Sequence, residues 1–236
     1  MSERVRVISG YGAYSSLTYG DYAKLINSND NYHILHQGSL DNLPKRIIIA
    51  PQFKKTKHSG ANISDYLLFI IDNYPYFPKE VAFLKSNMLQ RHIPEDVFNR
   101  RMQSSGFVSL YSETSSYKPT YSWKRGGKFI GQQVAPGIFL EVSNNWYVRS
   151  IEKGLFFPKI EDMFNKFISK EPLPKYIPFV PGACMVVESS KITRWPKSMY
   201  IELYEAVTSQ AIPSPMPVEA YHVERLMLYF FLFEKY

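Results

Sequence analysis

Residues 62–87 constrain the fold of this chain more than any other segment. Asn62 or Ser64 can cap a helix, and apolar residues then recur at helical spacing until Pro75. Residues 80–84 follow as a short apolar strand. A strand, a helix and a strand with short connections favour parallel pairing through a right-handed crossover. The segment therefore predicts an α/β sheet.

The rest of the chain extends this prediction. Further strands are predicted at residues 4–9, 32–36, 46–50, 107–111, 138–142 and 182–187. Further helices are predicted at residues 19–27, 94–102, 158–169, 198–208 and 217–233. With 236 residues, of which 45% are hydrophobic and 21% are charged, the chain can bury one large core. We expect one domain over residues 1–236, with an open mixed sheet flanked by helices.

Charge and cysteine content limit the possible partners and location. A net charge of +7 suits nucleic acid, an anionic membrane surface or a phosphorylated small substrate. The basic residues are scattered and no nucleic-acid signature occurs, so a phosphate-bearing substrate is favoured and no nucleic-acid partner is expected. The single cysteine, Cys184, excludes an internal disulfide. No apolar run reaches the roughly 20 residues of a membrane span, so we expect a cytoplasmic protein that associates at most peripherally with a membrane.

Polar and glycine residues at the strand ends are the first candidate binding residues. Ligands of open α/β sheets lie beyond the carboxyl ends of the strands, near the point where the strand order reverses. This rule selects Ser9, Gly10, Tyr11, Gly12, Gln37, Lys85, Ser86 and Asn87. The alternative is that these are ordinary polar strand ends in solvent. The sequence contains no G-x-x-x-x-G-K-[ST] and no G-x-S-x-G, which argues against a P-loop ATPase and a serine hydrolase.

The last predicted helix carries a candidate general base. Glu219 and His222 are three residues apart and share a helix face, whereas Glu224 is offset from them. A histidine beside a glutamate can accept a proton from a substrate. The alternative is a hydrogen-bonded cluster that only packs the helix.

Several short motifs occur in a fixed order over residues 57–105 and 176–233. They are Asn73-Tyr74, Phe77-Pro78, Phe83-Leu84, Pro181-Gly182-Ala183 and Glu224-Arg225-Leu226. This ordered set resembles a family of uncharacterised proteins related to GT-A-fold glycosyltransferases. The resemblance implies a nucleotide-sugar-dependent transferase of GT-A-like fold. Residues 1–105 would form the nucleotide-binding half and residues 106–236 the acceptor half.

The resemblance also implies roles for individual residues in binding the donor. Base and ribose would be contacted by Ser9, Gly10, Tyr11 and Gln37, and ribose and diphosphate by His58, Asn62, Asp65, Lys85 and Asn87. In many GT-A enzymes an Asp-x-Asp at this strand end holds Mn²⁺ or Mg²⁺ on the diphosphate. Here Lys85-Ser86-Asn87 stands in that place, so the metal ligands are unknown and a divalent metal is possible without support from that motif. Lys85 can instead supply positive charge to the diphosphate.

The resulting hypothesis is a glycosyltransferase that moves a sugar from a nucleotide-sugar donor to a surface-glycan or polysaccharide acceptor. Glu219 or Glu224, directly or through His222, would deprotonate the acceptor hydroxyl. The alternative is a catalytically inactive GT-A-like protein that binds a nucleotide or a glycan.

Overall fold

The computed structural model describes residues 3–10, 22, 24–26, 31–41, 43–57, 59–112, 122–125, 128–143, 155–209 and 217–233. Six strands form the larger sheet: β1 (Arg4–Gly10), β2 (Asn31–His36), β3 (Phe53–Lys55), β4 (Glu80–Lys85), β5 (Val108–Ser109) and β10 (Met185–Glu188). Their order is β3-β2-β1-β4-β10-β5. Strands β1 to β4 pair in parallel, and β10 is antiparallel to β4 and to β5. The prediction of an α/β fold with a mixed sheet is confirmed.

A second sheet is antiparallel throughout. It contains β6 (Ser122–Arg125), β7 (Lys128–Ala135), β8 (Ile138–Val142) and β9 (Tyr176–Phe179), in chain order. Its β8 carries Glu141, whose carboxylate lies 3.0 Å from the guanidinium of Arg225. This ion pair, with both side chains about one-tenth exposed, joins the second sheet to the last helix.

Helices cover both faces of the larger sheet. They are α1 (Lys45–Ile48), α2 (Ala61–Asn73), α3 (Met88–Arg91), α4 (Glu95–Arg101), α5 (Ile160–Phe167), α6 (Ser189–Thr193), α7 (Lys197–Thr208) and α8 (Val218–Phe231). The predicted helices at 62–73, 94–102, 158–169, 198–208 and 217–233 are confirmed within two residues at each end. In the described part of the chain, none of these helices combines the length and the apolar character that crossing a membrane requires.

Alternation along the central strands builds one core on each face of the sheet. Val7 and Phe83 point to the face covered by α2, α5, α7 and α8, whereas Ile8 and Leu84 point to the face covered by α1, α3 and α4. Both strands are buried on both faces, which explains their nearly continuous apolar sequences.

The predicted strand at residues 46–50 is wrong, because this segment begins as helix α1. Pro44 precedes the helix. The single helical turn places Ile47 in the core and leaves Ile49 68% exposed. A short β-branched run suits a strand and a buried helical turn equally well by pattern alone. The third strand is instead β3, whose residues were not predicted as a strand.

The strand order locates the ligand crevice expected for an open α/β sheet. The chain runs outward from β1 through β2 to β3 at the edge and then crosses to the other side of β1 with β4. The order therefore reverses between β1 and β4, so a ligand is expected beyond their carboxyl ends. Ser9 and Lys85 are directly paired at this edge.

Candidate functional site

The first group of polar residues at this edge is a hydrogen-bonded set that we call the strand-end network, comprising Ser9, Gln37, Thr56 and Asp65. Ser9 Oγ donates to Asp65 Oδ2 at 2.5 Å, and Thr56 Oγ1 donates to Asp65 Oδ1 at 2.8 Å. The side-chain amide of Gln37 donates to the Ala61 carbonyl oxygen at 2.5 Å and to Ser64 Oγ at 3.0 Å, both in the first turn of α2. The network thus ties the ends of β1, β2 and β3 to the first two turns of α2.

Asp65 is buried at the centre of the strand-end network, with 1% of its surface exposed. Burial raises the pKa of its carboxyl group to about 7, while the hydrogen bonds of the network and the charge of Lys55 act in the opposite direction. The sequence placed Asp65 among the residues expected around ribose and diphosphate. In the structure its carboxyl group joins the ends of β1 and β3 to α2.

The second group, which we call the Gly182 cluster, comprises Lys85, Asn62, Gly182 and Glu224. The amide of Gly182 donates to Glu224 Oε1 at 2.9 Å, and Asn62 Nδ2 donates to the Gly182 carbonyl oxygen at 2.8 Å. A Cβ atom built on Gly182 would lie 3.2 Å from both Cδ and Nζ of Lys85. A side chain at position 182 would therefore require the end of Lys85 to shift by a few tenths of an ångström, and the φ of 72° there would strain any residue other than glycine.

Unusual backbone conformations flank this cluster on both sides. Gly182 and Ala183 have φ values of 72° and 50°, and Gly60 and Ala61, at the start of α2, have values of 71° and 49°. A non-glycine residue with positive φ is strained, and such residues concentrate at functional sites. The predicted strand start at residue 182 is wrong for the same reason: Pro181–Ala183 form a tight turn before β10.

The charged residues of the Gly182 cluster differ from the rest of the site in exposure. Lys85 and Glu224 are half-buried, whereas Asn62 is 2% exposed. Both charges act on the buried Cys184 thiol, so both lie near it, and burial raises the pKa of that thiol to about 11. A cation and a carboxylate are therefore presented together at the edge of the sheet.

The other candidate bases of α8 lie in the interior. Glu219 is 1% exposed and its Oε1 accepts hydrogen bonds from the amides of Phe156, at 2.9 Å, and Phe157, at 3.5 Å. His222 is 0% exposed, and both of its ring nitrogens lack a hydrogen-bond partner within the described residues. The exposure of Glu224 therefore distinguishes it from the buried Glu219 and His222, and the choice among the three as a general base stays a prediction.

His222 predicts a loss of stability in acid. Burial lowers its pKa to about 4 from 6.5, so the unfolded chain binds more protons between these values and folding weakens as the pH falls from 6.5 to 4. The free energy of unfolding should drop by about 3 kcal/mol between pH 7 and pH 4 on this account. Urea unfolding of the wild type and of His222→Leu measures it. If the free energy of unfolding falls with pH equally in the two proteins, His222 is not the cause of the loss.

The remaining predicted site residues take varied positions. Gly10 is required by packing, since a Cβ there would lie 1.6 Å from the Tyr22 hydroxyl oxygen. Asn87 is 3% exposed and precedes α3. Tyr11 and His58 lie outside the described residues.

Burial changes the expected role of several predicted nucleotide contacts. Ser9, Gln37, Asn62 and Asp65 are each at most 3% exposed, and their side chains are hydrogen-bonded to the protein. Their hydrogen bonds stabilise the residues at the sheet edge, and direct contact of these side chains with a nucleotide stays a prediction.

Sequence reasoning missed Thr56, which completes the strand-end network. Thr56 follows β3 at the same sheet edge as Ser9, and its amide donates to the His36 carbonyl oxygen at 3.0 Å. The strand-end rule would have selected it if β3 had been placed correctly. Gly182 was noted only within a motif, and its position against Lys85 had no signal in the sequence.

The residues at the edge do not suit a divalent metal. Such ions need several oxygen ligands, and β4 ends with Lys85 where a carboxylate would be needed. Within the described ranges, no three His, Cys, Asp or Glu side chains come close enough together to hold a metal ion.

Comparison with known proteins found no relative of this chain. No protein-family model, curated protein or solved structure matches the chain. The function must therefore be inferred from the geometry of the strand-end network and of the Gly182 cluster.

Proposed function

We propose that this protein is a glycosyltransferase of GT-A-like fold that transfers a sugar from a nucleotide-sugar donor to a glycan acceptor. The observation that carries the proposal is the convergence of Lys85 and Glu224 on Gly182, at the carboxyl ends of β1 and β4. This crevice is where open α/β sheets bind nucleotides. Transfer of a sugar from a diphosphate to a hydroxyl group requires a cation for the leaving group and a carboxylate for the proton, and both are found there.

The proposed reaction uses each charge for one task. An acceptor hydroxyl attacks the anomeric carbon of the donor, and its proton passes to the carboxylate of Glu224. The bond from that carbon to the diphosphate oxygen breaks, and the nucleoside diphosphate leaves with the electron pair. Lys85 stabilises the negative charge that develops on the leaving group.

Two buried contacts keep these charges in position. The Gly182 amide orients the carboxylate of Glu224, and Asn62 holds the Gly182 carbonyl oxygen from α2. Because Gly182 has no side chain, the stem of Lys85 can lie directly against the turn. Groups held in this way need little rearrangement during the reaction.

Nucleotide sugars test the proposal directly. UDP-glucose, UDP-N-acetylglucosamine and GDP-mannose are added separately, with and without Mn²⁺, and the melting temperature and the release of free nucleoside diphosphate are measured. We expect at least one donor to raise the melting temperature and to be hydrolysed slowly, with water as the acceptor. Stabilisation without turnover would support the inactive binding protein instead, and no response to any of the donors would contradict both functions.

A further inference from the structure

Asp65 is the one member of the strand-end network that can exchange a proton near neutral pH. Both hydrogen bonds from Ser9 and Thr56 come from neutral hydroxyl groups. Lys55 directs its ammonium group to the carbonyl oxygens of Gln37, at 2.8 Å, and of Gly38. A carboxylate buried among neutral donors is costly, so the site favours a protonated Asp65.

The surroundings of Asp65 contain few other ionisable groups within the described residues. Lys55 of β3 acts on its charge, and the hydroxyl groups of Tyr66 on α2 and Tyr204 on α7 lie close enough to be affected by it. The pKa values of both tyrosines are raised by burial, so they stay neutral. Lys55 and Asp65 are therefore the groups whose charges matter near pH 7.

Asp65 is also adjacent to the proposed donor site. Its partner Ser9 pairs in register with Lys85, and neighbouring strands lie about 4.8 Å apart. A diphosphate held by Lys85 would place negative charge near the carboxyl group of Asp65. Repulsion between like charges favours the protonated form of the acid.

From this arrangement we propose that Asp65 is a positioning residue that takes up a proton from solvent when an anionic nucleotide sugar binds beside Lys85. The inference rests on the proposed function, since it needs a nucleotide sugar in that crevice. The neutral acid keeps its hydrogen bonds to Ser9 and Thr56 and so holds the ends of β1 and β3 together under the ligand. Binding of the donor then becomes weaker as the pH rises above 7, because the ionised carboxylate repels the diphosphate.

Calorimetry with UDP-glucose and GDP-mannose between pH 5.5 and 8.5 tests this linkage. The diphosphates of these probes do not titrate in that range, so changes in affinity report on the protein. We expect the wild type to bind about tenfold more weakly at pH 8.5 than at pH 6. At pH 7, the binding heat should depend on the ionisation enthalpy of the buffer, with up to about half a proton taken up, because Asp65 is already about half protonated there.

Two variants isolate Asp65 from other groups that titrate nearby. The affinity of Asp65→Asn for the two nucleotide sugars should change by less than about twofold over this pH range. Asp72→Asn is the matched control, because it removes the same charge from an exposed position on the same helix and should keep the wild-type pH dependence. Thr56→Val keeps Asp65 but removes a hydrogen-bond donor that favours its charged form. The midpoint of the pH dependence of nucleotide-sugar affinity should therefore move to higher pH.

The possible failures can be told apart. If Asp65→Asn shows the wild-type pH dependence, or if Thr56→Val leaves the midpoint unchanged, the proton linkage is wrong while the proposed function stands. If neither probe binds at any pH, the proposed function fails and this inference fails with it. The Thr56→Val result decides the matter even if Asp65→Asn does not fold.

Discussion

Glu224→Gln is expected to lower the rate of sugar transfer by about 10²- to 10⁴-fold, the usual contribution of a general base. The amide keeps an oxygen that can accept the hydrogen bond from the Gly182 amide, so the turn before β10 should stay in place. It cannot accept the proton of the acceptor hydroxyl. Steady-state kinetics with whichever of the three tested nucleotide sugars is turned over measure the effect, which should appear in kcat with little change in the donor KM.

Two other glutamates make this result specific. Glu205→Gln removes a charge from an exposed position on α7 and should leave turnover unchanged. Glu219→Gln should instead lower the free energy of unfolding by about 1 kcal/mol, because the glutamine oxygen still accepts hydrogen bonds from the amides of Phe156 and Phe157 but lacks the negative charge that strengthens them. Full turnover in Glu224→Gln, or a larger loss of turnover in folded Glu219→Gln, would contradict the assignment of the base.

Lys85→Met is the second substitution with a large expected effect. Methionine retains much of the apolar stem that lies against Gly182 but carries no charge. Loss of the group that stabilises the leaving diphosphate should lower kcat/KM by about 10²- to 10³-fold. The affinity for free nucleoside diphosphate, measured by calorimetry, should fall as well.

A lysine elsewhere on the surface provides the control for that substitution. Lys79→Met removes a side chain that is 61% exposed and lies 3.5 Å from the carboxylate of Glu3, at the opposite end of β4. It should leave both the kinetics and the affinity unchanged. If Lys85→Met retains wild-type affinity for the nucleoside diphosphate, Lys85 does not contact the diphosphate and the proposed mechanism is wrong.

The sequence predicted the elements whose signals are long and regular. Helix α2 and strand β4 follow one another with a clear change of periodicity, and both were found nearly as predicted. The short segments were less certain. Residues 46–50 form a helical turn because Pro44 and the burial of Ile47 outweigh their β-branched composition, and the error hid β3 and with it Thr56.

The sequence also predicted that several polar residues lie together at one edge of the sheet. Ser9, Gln37 and Lys85 could be chosen because polar residues that end apolar strands collect on one edge of a parallel sheet. Their roles could not be assigned, since Ser9 and Gln37 are buried supports and Lys85 is half-buried. Exposure at a strand end depends on the helices and turns that pack over it.

By itself, then, the sequence determined the class of fold, the main helices and the sheet edge where ligands are expected, because local periodicity reports which residues face the core. Only the tertiary structure decided that Glu224, and not Glu219 or His222, meets Lys85 at Gly182. That choice depends on how α8 packs against the turn before β10, across a chain separation of about 40 residues. Contacts between elements so far apart are set by packing, which no local pattern encodes.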